Sequence, residues 1–341
     1  MTSGFRPRPP CNVTAAGGQT VTDRPAEPVG KTTVRSGYKR IWQNGRWFPA
    51  CGSGYGRGVT ASDPARGDGA GSTFGDGRPV WLGRLDRVRN VVRQEMISRQ
   101  LAGHLRRPPA RILDVGAGQG TQSIRLARSG YRVLAVEPDP EMRAAFCAAL
   151  DGEAAEVRDL VAVRDGSVGS LAPVTGGETF DAVLLLGVLM YLQASGPVIA
   201  ELAAHVAPGG LLALAARTTT SALWRPAARQ DWLAALAAFE EYDRALAQRR
   251  DMRYLNEIGA PARADSLDTL TSAAAACGLE LENWYGVRIA VDSGELDPPP
   301  PADPRELAAL LDVEERLGAS DPYRQLGQLA HLILRRPPGT S

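Results

Sequence analysis

The sequence predicts an α/β fold with a mainly parallel, doubly wound sheet, a helical lid inserted late in the chain and a disordered amino-terminal extension. Three observations carry this prediction. Short apolar runs alternate with helical periodicity from residue 88 onward, and such alternation builds parallel strands covered by helices on both faces. A glycine-rich turn, Gly116-Ala117-Gly118-Gln119-Gly120, lies between an apolar strand and a helix. Residues 1–80 hold 15 of the 37 glycines and 8 of the 25 prolines with almost no hydrophobic periodicity, and so cannot bury enough apolar surface to offset their ordering entropy.

Along the chain, Val88, Val91, Val92, Ile97, Leu101 and Leu105 fall near one face of a helix that Pro108-Pro109 stops. Strands are expected at 111–115, 131–137, 160–164, 180–186 and 211–215, with helices up to Ser129 and over 197–206. Pro208-Gly209-Gly210 makes the turn before the fifth strand. The Ala-rich, polar stretch between Arg217 and Ala264 reads as helical. It interrupts the alternation, which places it as a lid over the carboxyl end of the sheet. Helix 267–277, strand 284–290, a Pro-rich loop at 298–304, helix 305–317 and strand 330–335 close the pattern. The expected organisation is therefore an extension over 1–80 and one domain over 82–337 with its lid at about 217–264.

The 341 residues leave room for one or two domains. A formal net charge of +1 excludes a polyanion-coating protein. The basic excess sits in the extension, with eleven basic and five acidic residues before position 81, so the remainder is acidic by five. That segment is an extension, an arginine-rich RNA-binding arm, or the product of a start assigned upstream of the true one near Val21. It carries no apolar core or cleavage site of a secretory signal. The longest apolar stretch, AVLLLGVLMYL from Ala182 to Leu192, is shorter than a membrane span requires. Cys11, Cys51, Cys147 and Cys277 are too scattered for a zinc site or a disulfide frame, which fits a reducing cytoplasm.

The glycine turn lets backbone approach a ligand where a side chain would clash. Its spacing is GxGxG rather than the GxGxxG of dinucleotide sites. Glu137, at the end of the second strand, has the chemistry to accept two hydrogen bonds from a ribose diol. Together they describe an adenosyl group with no required phosphate.

At these residues the sequence resembles the class I S-adenosylmethionine-dependent methyltransferases. ILDVGAGQG resembles their first motif, VEPD their second-strand acid, FDAVLLLGVLMYL their fourth strand and VAPGG their turn before the fifth. The resemblance implies a Rossmann-like fold with S-adenosyl-L-methionine as cofactor. It implies that Asp114, Gly116, Ala117, Gly118 and Gly120 form the cofactor turn, with Glu137 on the ribose and Asp165-Gly166, or alternatively Asp159, at the adenine.

The chain also resembles the bacterial tRNA 5-carboxymethoxyuridine methyltransferase family over most of residues 80–337. VRNVVRQEMISRQL, YGVR at 285–288 and DPYRQLGQLAHLILRRP at 321–337 carry that likeness. By it, Arg89 reaches the cofactor's methionine carboxylate. Leu186 stands where that family places a cofactor-contacting histidine.

The expected reaction is methyl transfer to an acceptor oxygen. A carboxylate acceptor is ionised at pH 7 and needs no general base, in keeping with only three histidines, His104, His205 and His331, none beside the glycine turn. Arg288 is the candidate for orienting such a carboxylate, with Tyr254, Asn256 and Arg217 as further acceptor-side candidates. The acceptor is a modified tRNA nucleoside or a small metabolite. The reading from another class, a nicotinamide-dependent oxidoreductase, is opposed by the glycine spacing. No metal is expected, and the oligomeric state is left open.

Overall fold

The computed structural model describes residues 78–292, 294 and 296–339, together with the backbone of 40–43 and 46–49. The chain divides into two units, Met1–Gly67 and Asp68–Ser341. Of the first, the described part is an antiparallel hairpin of β1 (Arg40–Gln43) and β2 (Arg46–Pro49). The expected extension lies otherwise outside the described residues, and its last residues, from Arg78, open α1 (Arg78–Leu82).

The second unit is built on a seven-stranded sheet. Helix α2 (Val88–Ala102) precedes it, and the βα alternation then runs β3 (Arg111–Val115), α3 (Thr121–Arg128), β4 (Arg132–Val136), α4 (Pro140–Asp151), the short α5 (Ala155–Arg158), β5 (Val161–Arg164), the short α6 (Ala172–Thr175), β6 (Phe180–Leu186), α7 (Ser195–Ala204) and β7 (Val206–Arg217). The lid follows, with α8 (Thr219–Ala228), α9 (Trp232–Ala247), β8 (Met252–Leu255) and β9 (Pro261–Ala264). Helix α10 (Leu267–Ala276), β10 (Glu280–Val287), α11 (Pro304–Ala319) and β11 (Leu329–Arg335) complete it. The order across the sheet is β10-β11-β7-β6-β3-β4-β5. The five strands from β7 to β5 are parallel, and β11 lies antiparallel between β7 and β10.

This is the Rossmann-like, doubly wound arrangement expected from the alternation. Residues 182–186 of β6 and 211–216 of β7 read as unbroken apolar runs because both faces of the sheet are covered. One core joins α2, α3 and the sheet through Met96, Ile97, Ile112 and Leu184; the other joins α7, α10 and the opposite face through Leu113, Leu185, Ile199 and Leu270. The strand order reverses between β3 and β6, and at such a switch point the loops leaving the carboxyl ends open a crevice.

The lid departs from expectation. It is not helical throughout, because β8 and β9 pair antiparallel from Met252↔Ala264 to Leu255↔Pro261. Pro261 stops a helix, while Asn256 and Gly259 make the turn. The Asn256 side-chain oxygen accepts from the amides of Ile258 and Ala260, and Gly259 takes φ +76°. Such Asx chemistry competes successfully with helix formation.

Candidate functional site

A cavity of about 1080 Å³ opens at the carboxyl ends of β3, β4 and β6 and runs under the lid hairpin. Its floor is the turn after β3. Gly116 and Ala117 donate to the carbonyl of Val136 at 2.8 and 3.2 Å, which ties the turn to β4. Gly116 and Gly118 take φ of +67° and +59°, a region that L side chains rarely adopt.

The acid at the end of β4 meets this turn. Glu137 accepts from the Gly118 amide at 2.8 Å through one oxygen and from the Asp139 amide at 3.0 Å through the other. Burial raises its pKa, and the two amides work against that. Asp114, behind the turn, is 2% exposed and accepts from the Ser123 hydroxyl at 2.6 Å. Burial pushes it up to about 6, with the nearby Glu137 charge adding to the shift and Ser123 opposing it.

The far end of the cavity, under the lid, is lined by Tyr191, Arg217, Tyr254, Asn256, Glu257 and Arg288. The Arg217 guanidinium lies 5.8 Å from the centre of the Tyr254 ring, a cation–π contact. Asn256 donates to the Tyr191 hydroxyl at 3.0 Å. The Tyr254 hydroxyl is buried, with no hydrogen-bond partner among the described residues. Buried hydroxyls are rarely left so.

Residues 113–214 match the family described as a methyltransferase domain. That span runs from β3 through β7 and contains the glycine turn and Glu137. The matched span is similar to a methyltransferase domain.

In sequence, the chain is 35% identical over 105 residues to a protein named Hemagglutinin 1 from Eikenella corrodens, a match that covers 30% of this chain. The chain spans about a third, 32%, of the length of that curated relative. Among solved structures it is similar to an S-adenosylmethionine-dependent methyltransferase from Methanosarcina mazei, at 16% identity and TM-score 0.46, covering 70% of this chain and 98% of that one. It is also similar to the 1,6-didemethyltoxoflavin-N1-methyltransferase of Burkholderia thailandensis, at 19% identity and TM-score 0.46, covering 79% and 85%. A third is a possible histamine N-methyltransferase from Thermotoga maritima, at 16% and TM-score 0.47, covering 77% and 98%.

The cradle in the matched span fits S-adenosylmethionine, the cofactor that the sequence resemblance implies. A Cβ on Gly118 would come 3.3 Å from the Met142 methyl, so the turn presents bare backbone to the cavity, and Glu137 faces the same space with spare lone pairs. Asp114, Gly116, Ala117, Gly118, Glu137 and Leu186 all line it.

Several expected site residues stand elsewhere. Gly120 is not part of the cavity lining; it caps α3 with φ +84°, and a Cβ there would fall on the buried Phe146 ring. Its glycine is a packing requirement between α3 and α4. Asp165 turns its carboxylate to Arg143 at 2.9 Å, and Gly166 is closed in by Val136 and Val174. The cavity wall is formed one step later, by Ser167, Val168 and Gly169. The rival, Asp159, caps α5 and is not part of the lining.

Arg89 is 5% exposed and is spent on the loop after β10, donating to the carbonyl of Gly294 at 2.6 Å and pairing with Asp292 at 3.0 Å. One helical turn further, Arg93 is the α2 arginine that lines the cavity. It stacks 5.0 Å over Trp81 and donates to the Leu186 carbonyl at 2.9 Å. Burial, then the Arg288 charge, lowers its pKa to about 10. The i, i+4 spacing of Arg89 and Arg93 was visible in the sequence, but which of the two faces the crevice depends on how α2 is rotated on the sheet.

Arg288 does line the cavity, with φ +63°, yet its guanidinium already holds both oxygens of Glu257, at 3.1 and 3.2 Å, and Asp292 at 2.8 Å. Burial acts against its charge, but Asp292 and Glu257 outweigh that and keep it protonated. Sequence reasoning missed both acids, because their role exists only where the lid turn and the loop after β10 meet. None of His104, His205 and His331 lines the cavity.

Two outcomes follow from the cofactor half. Glu137→Ala is expected to weaken S-adenosylhomocysteine binding about 10- to 100-fold in calorimetry, the equivalent of one or two charge-assisted hydrogen bonds, with little change in melting temperature.

Asp114 gives a pH signature. Its native pKa, near 6, lies above the ordinary 3.8, so the native state retains a proton that the unfolded chain releases. The stability this confers is present below about pH 4 and is lost as pH rises through 6. Asp114→Asn should therefore gain on the parent by roughly 1 to 3 kcal/mol between pH 4 and pH 7 in urea unfolding. A constant difference across that window would show that Asp114 titrates normally.

Proposed function

We propose that the chain transfers the methyl group of S-adenosylmethionine to an acceptor carboxylate oxygen, that residues 82–337 are its catalytic unit and that it acts in the cytoplasm. The observation that carries this reading is the unpartnered Tyr254 hydroxyl beside Arg217, at the end of the cavity away from the glycine turn. A hydroxyl donor next to a guanidinium is the equipment for holding an anionic oxygen.

When bound, the cofactor supplies an electrophilic methyl on a sulfonium. The chain's own work is positioning and exclusion of water. The Gly116–Gly118 backbone and Glu137 hold the adenosyl part, and Arg93 is placed to meet its carboxylate. Arg217 and Tyr254 orient the acceptor, with Arg288 on the same cavity wall, while Asn256 ties the lid turn to Tyr191. The bound cofactor would supply the methyl group to an acceptor oxygen that already carries the electron pair needed, so the chain's residues have only to hold that oxygen in place. A carboxylate loses no proton in this step, which suits a cavity lined by none of the chain's histidines.

The acceptor favoured by the sequence resemblance is the carboxylate of a modified tRNA uridine. A small metabolite acid is the second reading, favoured by the acidic balance of residues 81–341, which does not attract a polyanion. Incubation with tritiated S-adenosylmethionine, total bacterial tRNA and a small-molecule extract separates them. Label in tRNA that mild alkali releases as methanol supports the first, and alkali-labile label only in the extract supports the second. Alkali-stable label in every product would overturn carboxylate methylation.

A further inference from the structure

The ion pairs at the lid end are arranged around one carboxylate that comes from the lid itself. Glu257 sits on the β8–β9 turn, lines the cavity and meets Arg225 at 2.7 Å, Arg288 at 3.1 and 3.2 Å and Arg217 at 3.4 Å. Two of these arginines, Arg225 and Arg288, also hold Asp292, whereas among the described residues Arg217 pairs with Glu257. Arg93 lies close enough to feel the charges of Arg288 and Arg217. If Glu257 left, the cavity wall would keep a concentrated positive charge that burial makes costly unless another anion enters.

We propose that Glu257 is an internal stand-in for the acceptor's carboxylate, occupying the arginine site in the substrate-free protein and swinging out with the lid turn when the acceptor enters. This rests on the carboxylate reading of the acceptor given above.

The turn is built to move as a unit. Its hydrogen bonds run mostly within itself: the Asn256 amide donates to the Ala260 carbonyl, the Gly259 amide to the Asn256 carbonyl, and the Asn256 side chain accepts from Ile258 and Ala260. Leu255, beside it, is 72% exposed. Among the described residues the turn is hydrogen-bonded to the body at Asn256–Tyr191 and at the Arg84 guanidinium on the Glu257 carbonyl, and Arg263 anchors the hairpin behind it on the carbonyls of Leu189 and Leu192. Displacement exchanges one carboxylate for another at the same guanidiniums, so the opening cost is offset by the incoming anion. An acceptor without an acid cannot make that exchange, and the stand-in thereby selects against neutral analogues.

The test uses the full chain saturated with S-adenosylhomocysteine and acetate as the probe, titrated at constant ionic strength. Glu257→Gln should bind acetate at least tenfold more tightly than the parent, and Glu257→Asp, which retains the charge but withdraws it by one methylene, should fall between them. In the unmutated protein, hydrogen exchange over residues 252–264 should speed up on adding acetate, the reverse of what a lid ordered by its ligand would do. Acetate affinity unchanged in Glu257→Gln, or hairpin exchange that is unmoved or slowed, would overturn the stand-in role. Should Glu257→Gln fail to fold, the exchange experiment and Glu257→Asp still decide. Tightened acetate binding with no alkali-labile methyl product would instead leave the stand-in intact and sink the carboxylate acceptor.

Discussion

Gly116→Val is expected to abolish S-adenosylhomocysteine binding while leaving a folded protein. Two independent effects act at this position. Gly116 has φ +67°, where a β-branched residue is strained by about 1 to 3 kcal/mol. A Cβ built there also comes 2.5 Å from the Val188 Cγ2 atom, on the loop after β6. The turn must therefore shift, and the Gly116 and Ala117 amides lose their shared hold on the Val136 carbonyl. Because the next amide, Gly118, carries the hydrogen bond to Glu137, the displacement travels directly into that carboxylate. The loss should be roughly 100-fold or more, about 2.7 kcal/mol of binding. Gly196→Ala is the matched control, since a Cβ there meets nothing within 4 Å in α7. Calorimetric titration that returns the parent's affinity for Gly116→Val would show that the cofactor does not approach this turn.

Asp292→Ala should be among the most damaging single changes to stability. Asp292 is 6% exposed and lies 2.5 Å from Arg225, 2.8 Å from Arg288, 3.0 Å from Arg89 and 3.4 Å from Arg229. Burial opposes its charge, but Arg288 and Arg225 prevail and hold its carboxyl below the usual range. Removing it leaves several guanidiniums facing one another with Glu257 to serve two of them. Breaking a buried pair by deleting one partner costs about 3 to 5 kcal/mol, here equivalent to a fall of roughly 10 °C in melting temperature. Removing an arginine from the same network should cost less, because cations outnumber acids. Arg229→Ala, whose side chain is 22% exposed, is the comparison. Equal losses for the two would mean that the network is held by geometry rather than by charge balance.

Much of the scaffold is legible in the chain because it depends on local chemistry. The run from Phe180 to Leu186 was expected as a strand and is β6 with those bounds. Helices α10 and α11 begin within a residue of their expected starts, where Ser266 and Asp303 cap them by accepting from the amides of Thr269 and Arg305. Composition could not announce the lid hairpin. Its strands, MRYL and PARA, are too short for a period to stand out, and what makes them strands is pairing with each other beside the 3₁₀ turn at Leu189–Tyr191. Arg263 of β9 is 1% exposed there and donates to the carbonyls of Leu189 and Leu192 while pairing with Asp265 and Asp251. An arginine that holds a loop in this way looks in the sequence like any surface arginine.

What the sequence determined by itself is the sheet's alternation and the placement of a glycine turn against an acid on the next strand, since strand, turn and helix signals act within a few residues and GxGxG needs only its own backbone. Only the tertiary structure decided which arginine serves which purpose. Arg89 and Arg93, like Arg217 and Arg288, are indistinguishable as residue types, and what each of them meets follows from the rotation of α2 on the sheet and from two acids, Glu257 and Asp292, brought in from segments 35 residues apart. Charge pairing in a buried site depends on distances of a few ångströms between distant parts of the chain, and a linear sequence does not contain those distances.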